Sequence, residues 1–284
     1  MQVHEALKRA SSFLKERGRE PRAAEILLRH HLAVSRTKLF QIMRDDLPDE
    51  TDASFMEDVE AHAKGAPVQH LTGIEEFYGR TFKVNENVLI PRPETEELVA
   101  AVLKKAANHF PGEEDLRVVD VGTGSGAIAV TLALENPRLS VSAIDISDAA
   151  LSTAEENADL LGAHVTFYQG DLLGPFIESG LKADVIVANP PYISEADIDL
   201  LDPLVKDKEP YVALSGGIDG YVIYKRLVAQ IPNVLHGKGL IAFEVGVGQS
   251  RKVASLLRAK LPDRAEISIN HDINGKDRMV IAVL

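Results

Sequence analysis

The feature that most constrains the fold is a strand that runs into a glycine-rich turn and then into a helix. The strand is the β-branched run at 117–121, and the turn carries the alternate glycines Gly122, Gly124 and Gly126. The apolar run that follows predicts a helix over 126–135. Glycines at such a turn allow a tight reversal and let a ligand approach the backbone at a helix N-terminus. The segment therefore predicts a ligand-binding α/β domain.

The spacing of the glycines and the acids near them indicates the kind of ligand. The pattern is G-x-G-x-G, which differs from the G-x-G-x-x-G of dinucleotide folds, and no Lys–Ser/Thr pair follows as in a phosphate-binding loop. Asp120, directly before the glycines, argues against a pyrophosphate and favours a cationic or amino-acid-like ligand. A second strand at 141–145 ends in Asp145. In nucleotide-binding α/β folds an acid at this position accepts hydrogen bonds from ribose hydroxyls.

The tetrapeptide Asn189-Pro190-Pro191-Tyr192 follows a fourth strand, which is predicted over 184–188. Ligand crevices of open α/β sheets lie at the carboxyl ends of the strands. Two prolines cannot continue a β-ladder, so backbone carbonyls stay free as acceptors beside an asparagine side chain that donates and accepts. A planar amide or amino nitrogen fits such a slot, because its two N–H groups need oxygen acceptors and its face can meet the tyrosine ring. Taken alone, the tetrapeptide is also compatible with a proline-rich turn that has no chemical role.

The order of the motifs argues against that simpler interpretation. A third strand at 164–168 leads to Gly170-Asp171-Leu172, so a motif follows each of four successive strands. In this order the motifs resemble class I S-adenosylmethionine-dependent methyltransferases. The tetrapeptide is similar to their amino-methylating branch, which includes DNA adenine methylases, some RNA guanine methylases and the N5-glutamine methyltransferases of peptide chain release factors.

The release factor group is matched more closely than the others, from about Gly65 to the C-terminus. The further segments that resemble it are Ile90-Pro91-Arg92-Pro93-Glu94-Thr95-Glu96-Glu97-Leu98-Val99, Glu209-Pro210, Ala213-Leu214, Gly216-Gly217-Ile218-Asp219-Gly220 and Gly275-Lys276-Asp277-Arg278. One departure is Lys276, which stands where the family pattern has arginine. The residues before Gly65 match the group only in length and helical character.

The resemblance implies a methyl transfer from S-adenosylmethionine to the side-chain amide nitrogen of the glutamine in the Gly-Gly-Gln motif of release factors, which modulates translation termination. It implies cofactor contacts from Gly122, Thr123, Gly124, Ser125, Gly126, Asp145, Leu172 and Asn189. It implies substrate contacts from Asn189, Pro190, Pro191 and Tyr192, of which Asn189, Pro190 and Tyr192 are expected to be catalytic. Arg92, Thr95 and Glu96 are expected to close over the cofactor. No metal is implied.

The predicted fold class is α/β, with a seven-stranded Rossmann-like methyltransferase sheet and a small N-terminal helical domain. The sheet is expected to be mostly parallel with one antiparallel strand. We expect three parts: residues 1–72 as an N-terminal helical substrate-recognition domain, 73–93 as a β-hairpin linker and 94–284 as the S-adenosylmethionine-dependent methyltransferase domain. The apolar stripes of the helical part are explained by a core of its own, with docking of a protein substrate as the alternative.

Composition and charge bear on the partners. The chain has a net charge of −12 and no cysteine, and it contains no basic run that could neutralise phosphates. We therefore expect a release factor as protein partner and no direct binding to nucleic acid. Neither a signal peptide nor a run of about 20 apolar residues is present, so a cytoplasmic protein without membrane contact is expected. His30 and His31 are adjacent and point to different faces of a helix, so they do not form a metal site.

Two other functions stay open at this point. One is an amino-group methyltransferase that acts on adenine or guanine in nucleic acid, which the same tetrapeptide would serve. The other is a non-catalytic binding module that keeps the fold. The acids Asp197, Asp199 and Asp202 are expected to form a solvated loop, with a role at the substrate entrance as the alternative. Glu244 ends a strand near the predicted cleft, and its spacing assigns it no role.

Overall fold

The computed structural model describes the whole chain except Asp202 and Asp207 and the side chains of Pro203 and Leu204. Asp202, one of the three loop acids, thus lies outside the described residues. The chain divides into two compact units. The first comprises Met1–Ile74 and Asp202–Lys208, and the second comprises Glu75–Leu201 and Glu209–Leu284. No helix in the described part of the chain is both long and apolar enough to cross a membrane.

The first unit is built from helices that share a small core. They are α1 (Val3–Glu16), α2 (Ala23–His31), α3 (Arg36–Gln41), α4 (Asp49–Ala63) and α5 (Val68–Thr72). Leucines at helical spacing and Phe55 are fully buried between them. Ser35 caps α3, because its hydroxyl oxygen accepts from the Lys38 N–H at 3.2 Å. The apolar stripes of this segment therefore do form a core.

The second unit contains a hairpin and a seven-stranded sheet. Its strands are β1 (Ile74–Phe77), β2 (Arg80–Lys83), β3 (Leu116–Val121), β4 (Leu139–Asp145), β5 (Val165–Gln169), β6 (Ala183–Ala188), β7 (Leu235–Glu244), β8 (Glu266–His271) and β9 (Asp277–Val283). Its helices are α6 (Pro93–His109), α7 (Ala127–Glu135), α8 (Asp148–Leu161), α9 (Gly174–Glu178), α10 (Glu195–Ile198), α12 (Tyr211–Leu214), α13 (Val222–Gln230) and α14 (Ser250–Arg258), and α11 (Pro203–Lys206) belongs to the first unit.

The sheet has the strand order β5-β4-β3-β6-β7-β9-β8. All its neighbouring pairs are parallel except the two that involve β9, which runs antiparallel to both β7 and β8. The predicted sheet, mostly parallel with one antiparallel strand, is confirmed. From β3 the chain builds outward through β4 and β5, and it then returns to the other side of β3 with β6. This reversal places a ligand crevice at the carboxyl ends of β3 and β6.

The central strands are buried on both faces, as their continuous apolar sequences require. On β6, Val185 and Val187 join the core that includes α6 and α7, whereas Ile186 joins the core that includes α13 and α14. Side chains alternate between the faces of a strand, which explains this division. The sheet is thus a rigid base, and the loops at its carboxyl edge are free to carry polar groups.

The hairpin of β1 and β2 packs into the core of the second unit. Phe77 and Phe82 are fully buried, with their rings 5.9 Å apart and nearly perpendicular, in the same cluster as Leu98 and Val102 of α6. Residues 75–93 therefore group with the sheet. The division into a recognition domain, a linker and a methyltransferase domain stays a prediction, because compactness does not show what a unit recognises.

The structure differs from the sequence prediction most between residues 219 and 244. A single helix is predicted over 219–235, but α13 ends at Gln230 and a 3-10 turn at Ile231–Asn233 follows. Pro232 in this turn cannot continue an α-helix. Strand β7 then begins at Leu235 rather than at the predicted residue 239. Glycine weakens a strand pattern, so Gly239 obscures this extension in the sequence. The structure requires glycine at this position, because a Cβ would lie 2.7 Å from the Leu235 side chain. The short helices α9 to α12 are too brief to show a periodic pattern.

Candidate active site

A pocket lies at the carboxyl edge of the sheet, where β3, β4, β5 and β6 end. Six of the residues predicted for the site line it: Gly122, Gly124, Asp145, Leu172, Asn189 and Pro191. They come from four separate loops, and they meet because parallel strands present their carboxyl ends at the same edge. The other predicted residues, Thr123, Ser125, Gly126, Pro190 and Tyr192, do not line this pocket.

The glycine turn serves two different purposes. Gly122 and Gly124 have positive φ angles of 76° and 56°, and no atom lies within 4 Å of the place where a Cβ would stand. These two positions therefore form a cradle of exposed backbone. Gly126 also has a positive φ, but a Cβ there would lie 3.0 Å from the Cβ of Ala154 on α8. Gly126 thus allows two helices to pack closely and does not face the pocket.

Asp145 connects the glycine cradle to the start of α8. Its Oδ2 accepts from the Gly124 N–H and its Oδ1 from the Ser147 N–H, both at 2.9 Å. Burial raises the pKa of Asp145, and the hydrogen bonds from these backbone groups oppose that rise. A carboxylate has about four lone-pair sites, so Asp145 keeps acceptor capacity at the pocket wall.

Asp120 lies behind the turn and is completely buried. Its Oδ2 accepts from the Thr123 hydroxyl at 2.7 Å, whereas its Oδ1 is a buried oxygen without a hydrogen-bond partner among the described residues. Burial raises the pKa of Asp120 to about 7, and the nearby charge of Asp145 contributes to the rise. Thr123 therefore orients an acid that is not yet fully satisfied. Such an acid suits an amine or another cation nearby.

Ser125 and Asn157 hold the far end of the turn. The Ser125 carbonyl accepts from the Asn157 side chain at 2.9 Å, and the same side chain makes hydrogen bonds of 2.7 and 2.9 Å with the backbone N–H and carbonyl of Lys83. Asn157 thus ties the glycine turn to the hairpin. Asn157 belongs to none of the motifs recognised in the sequence, although an asparagine among the apolar residues on the inner face of a helix is a recognisable signal.

Asn189 belongs to a short chain of buried hydrogen bonds. Its Nδ2 donates to the Thr95 hydroxyl at 3.2 Å, and that hydroxyl donates to Oε2 of Glu244 at 2.7 Å. Burial raises the pKa of Glu244 to about 7, and the Thr95 hydrogen bond opposes the rise. Thr95 and Glu244 are 149 positions apart, and they meet because α6 packs beside the end of β7.

The rest of the tetrapeptide is held by the loop after β7. Gln249 donates from Nε2 to the Tyr192 carbonyl at 2.9 Å. A side chain at Gly220 would lie 2.6 Å from the same carbonyl, and one at Gly246 would lie 3.0 Å from the Tyr192 ring. The Tyr192 ring lines a second, shallower hollow beside the main pocket. Burial is the main cause of the raised pKa of its hydroxyl.

Three residues that are expected to close over the cofactor do not line the pocket: Arg92, Thr95 and Glu96. Arg92 pairs with Glu209 at 2.5 Å, and the Glu209 side chain is fully buried. Burial raises the pKa of Glu209, and the Arg92 charge opposes that rise. Glu96 accepts from the Tyr78 backbone N–H at 2.8 Å. These residues anchor loops near the site, and their closure over the cofactor stays a prediction.

Comparisons with known proteins define the class. The model of the PrmC N-terminal domain matches residues 5–73, and that of the Methyltransferase small domain matches residues 100–241. A methyltransferase from Pyrococcus furiosus has a similar fold, with a TM-score of 0.52 and 14% sequence identity over 83% of this chain and 98% of that chain. The fold is therefore that of a methyltransferase.

The particular family follows from full-length relatives. The release factor glutamine methyltransferase of Bacillus cereus is 54% identical over 282 residues, which cover 99% of this chain and 99% of that protein. The release factor glutamine methyltransferase of Bacillus subtilis is 51% identical, with coverage of 99% and 98%. The chain belongs to the release factor glutamine methyltransferase family, as its motifs predict. Membership implies S-adenosylmethionine as the methyl donor.

Proposed function

We propose that this protein methylates the side-chain amide nitrogen (N5) of the glutamine in the Gly-Gly-Gln motif of peptide chain release factors, and so modulates translation termination. One observation carries the assignment of the reaction to this site. The Asn189 amine is already bound to Thr95, at the edge of a pocket with a cradle of exposed glycine backbone. The Asn189 oxygen is left for an N–H group of a substrate. Release factors act in the cytoplasm, where we expect the protein to work.

The residues around the pocket fit S-adenosylmethionine. The exposed backbone of Gly122 and Gly124 suits its methionine part, and the buried acid Asp120 behind the turn makes the surroundings favourable for a positively charged amino group. Asp145 has acceptor capacity for ribose hydroxyls, and Leu172 offers an apolar contact to an adenine edge. When bound, the cofactor supplies an activated methyl group on a sulfonium. Within this pocket the protein has only to bind and orient.

The tetrapeptide has the groups that orient an amide. A glutamine amide nitrogen is a poor nucleophile, because its lone pair is delocalised into the carbonyl. Oδ1 of Asn189 and the Pro190 carbonyl are two acceptors for its two N–H groups, and the nitrogen then faces the methyl donor. Tyr192 packs on the amide plane, and Pro191 stiffens the wall. Alignment of this kind contributes up to about 7–11 kcal/mol when the reacting atoms are close.

The experiment is methylation of a purified release factor followed by mass spectrometry of the peptide that contains the Gly-Gly-Gln motif. We expect one added methyl group on this glutamine and none when the glutamine is replaced by alanine in the release factor. Duplex DNA and structured RNA are run in parallel. Methylation of a nucleic acid with an unmodified release factor would contradict the proposal and support the adenine or guanine alternative.

A further inference from the structure

The shape of the Asn189 side chain does not determine which way its amide oxygen and nitrogen point. The oxygen and nitrogen of a side-chain amide are nearly equal in size, so the group fits its site in either of two orientations. Only one orientation presents Oδ1 to the N–H groups of a substrate amide. The reverse orientation opposes donor to donor. The site therefore needs a group that distinguishes the two ends of Asn189.

The Thr95 hydroxyl can distinguish them, because it has a single hydrogen. That hydrogen is donated to Oε2 of Glu244 at 2.7 Å, and the carboxylate can only accept it. The hydroxyl oxygen then offers only lone pairs to Asn189, 3.2 Å away. Those lone pairs bind the amine of Asn189 and turn its oxygen away from Thr95. Above its pKa of about 7, Glu244 is ionised and can only accept, and it then fixes the donor direction of the whole chain.

Burial makes it costly to break any hydrogen bond between Asn189, Thr95 and Glu244. Thr95 is 5% exposed and Glu244 is 2% exposed, so water cannot easily replace a missing partner at either residue. A buried donor or acceptor without a partner costs about 1–3 kcal/mol, which favours the fully paired arrangement over the reversed one. Arg278 and Asn189 also interact favourably with the Glu244 carboxylate. The carboxylate therefore favours the same orientation of the asparagine amine.

We propose that Thr95 and Glu244 are positioning residues, which set the orientation of the Asn189 amide and thereby direct its oxygen to the substrate. The inference rests on the proposed function, because the group that the Asn189 oxygen has to bind is the substrate amide. It deepens that function, because it gives a role to an acid at the end of β7 and to a threonine on α6 that do not line the pocket.

The test is Thr95→Val, which keeps the shape of the side chain and removes the hydroxyl. With a glutamine peptide we expect kcat to fall about 10- to 100-fold, as for other small misplacements in active sites, and the cofactor Kd to change little. The Tm is expected to fall by a few degrees, because Glu244 and Asn189 each lose a partner, whereas kcat falls by much more than the loss of folded protein explains. Thr95→Ser retains the hydroxyl and is expected to restore most of kcat. Glu244→Gln is expected to lower kcat by at least about 5-fold, because its amide no longer forces one donor direction.

Thr131→Val is the matched control. Thr131 lies on α7 and is fully buried, and its hydroxyl has no hydrogen-bond partner among the described residues. We expect its kcat to equal that of the wild type. The positioning role is overturned if Thr95→Val or Glu244→Gln keeps kcat within about twofold of the wild type, or if Thr95→Ser is as impaired as Thr95→Val. A wild-type enzyme that leaves the glutamine unmodified would instead contradict the proposed function itself.

Discussion

Asparagine carries an amide NH2 group where aspartate has a second oxygen, and the NH2 group of Asn189 donates to the Thr95 hydroxyl. We expect Asn189→Asp to reduce turnover by about 100-fold or more, while the affinity for S-adenosylmethionine stays close to that of the wild type. A carboxylate cannot donate to Thr95, whose only hydrogen is already given to Glu244. It also places a negative charge beside the reacting amide. Calorimetry and single-turnover methylation separate the two effects, and near wild-type turnover would contradict the assigned role.

Asp120 predicts a pH dependence of stability that differs from that of most acids. Its pKa is raised from 3.8 to about 7, mainly by burial, so the folded protein keeps the proton while the unfolded chain releases it. The contribution of Asp120 to the free energy of unfolding therefore falls as pH rises from about 4 to 7, at up to about 1.4 kcal/mol per pH unit, and is constant above.

Asp120→Asn removes this titration. In urea unfolding at pH 5 and at pH 8, we expect the variant to gain stability relative to the wild type at the higher pH. The comparison is made without cofactor, because a bound cation would favour the ionised acid. A difference between variant and wild type that does not change with pH would show that Asp120 is ionised throughout this range.

At the scale of elements, replacement of a glycine by alanine is expected to have different effects at two positions of the glycine turn. Gly124→Ala strains a positive φ but meets no atom within 4 Å, so we expect it to fold with a cost of about 1–2 kcal/mol and to lose cofactor affinity. Gly126→Ala strains a positive φ and also places a Cβ only 3.0 Å from that of Ala154 on α8, so it is expected to lower the Tm more. Thermal unfolding and calorimetry on both variants test the division. The prediction would be wrong if the two variants lowered the Tm by the same amount and the cofactor affinity by the same factor.

The elements also show how far the sequence could predict the site. Glycine turn, Asp145 and tetrapeptide were predicted together because each follows a buried, β-branched strand, and such strands are recognisable one at a time. The contact of Thr95 with Glu244 was not predictable in this way, since it depends on how α6 packs against the sheet. The contacts of Arg92 with Glu209 and of Glu96 with Tyr78 were not predictable for the same reason, because motif membership does not give the direction of a side chain.

At the scale of the molecule, the two units predict a division of labour. A glutamine side chain has too few atoms to identify a release factor, so specificity has to come from other surfaces. We expect removal of residues 1–74 to leave S-adenosylmethionine binding measurable and to lower kcat/KM sharply on an intact release factor. A short glutamine peptide should be affected much less, because it cannot reach the missing surface.

This test requires a fragment that is folded and monodisperse, since truncation exposes apolar side chains. Circular dichroism and light scattering establish that condition. If such a fragment methylates the intact release factor as well as the full chain does, the helical segment is not a substrate-recognition domain.

The first unit draws on two stretches of the chain, Met1–Ile74 and Asp202–Lys208, and the second of these follows the tetrapeptide closely. A chimera that exchanges only the N-terminal stretch between relatives would therefore combine helices of one parent with an insert of the other. We expect an exchange of specificity to need three junctions, one after residue 74 and one on each side of 202–208. We accordingly expect the sequences of the two stretches to vary together among relatives.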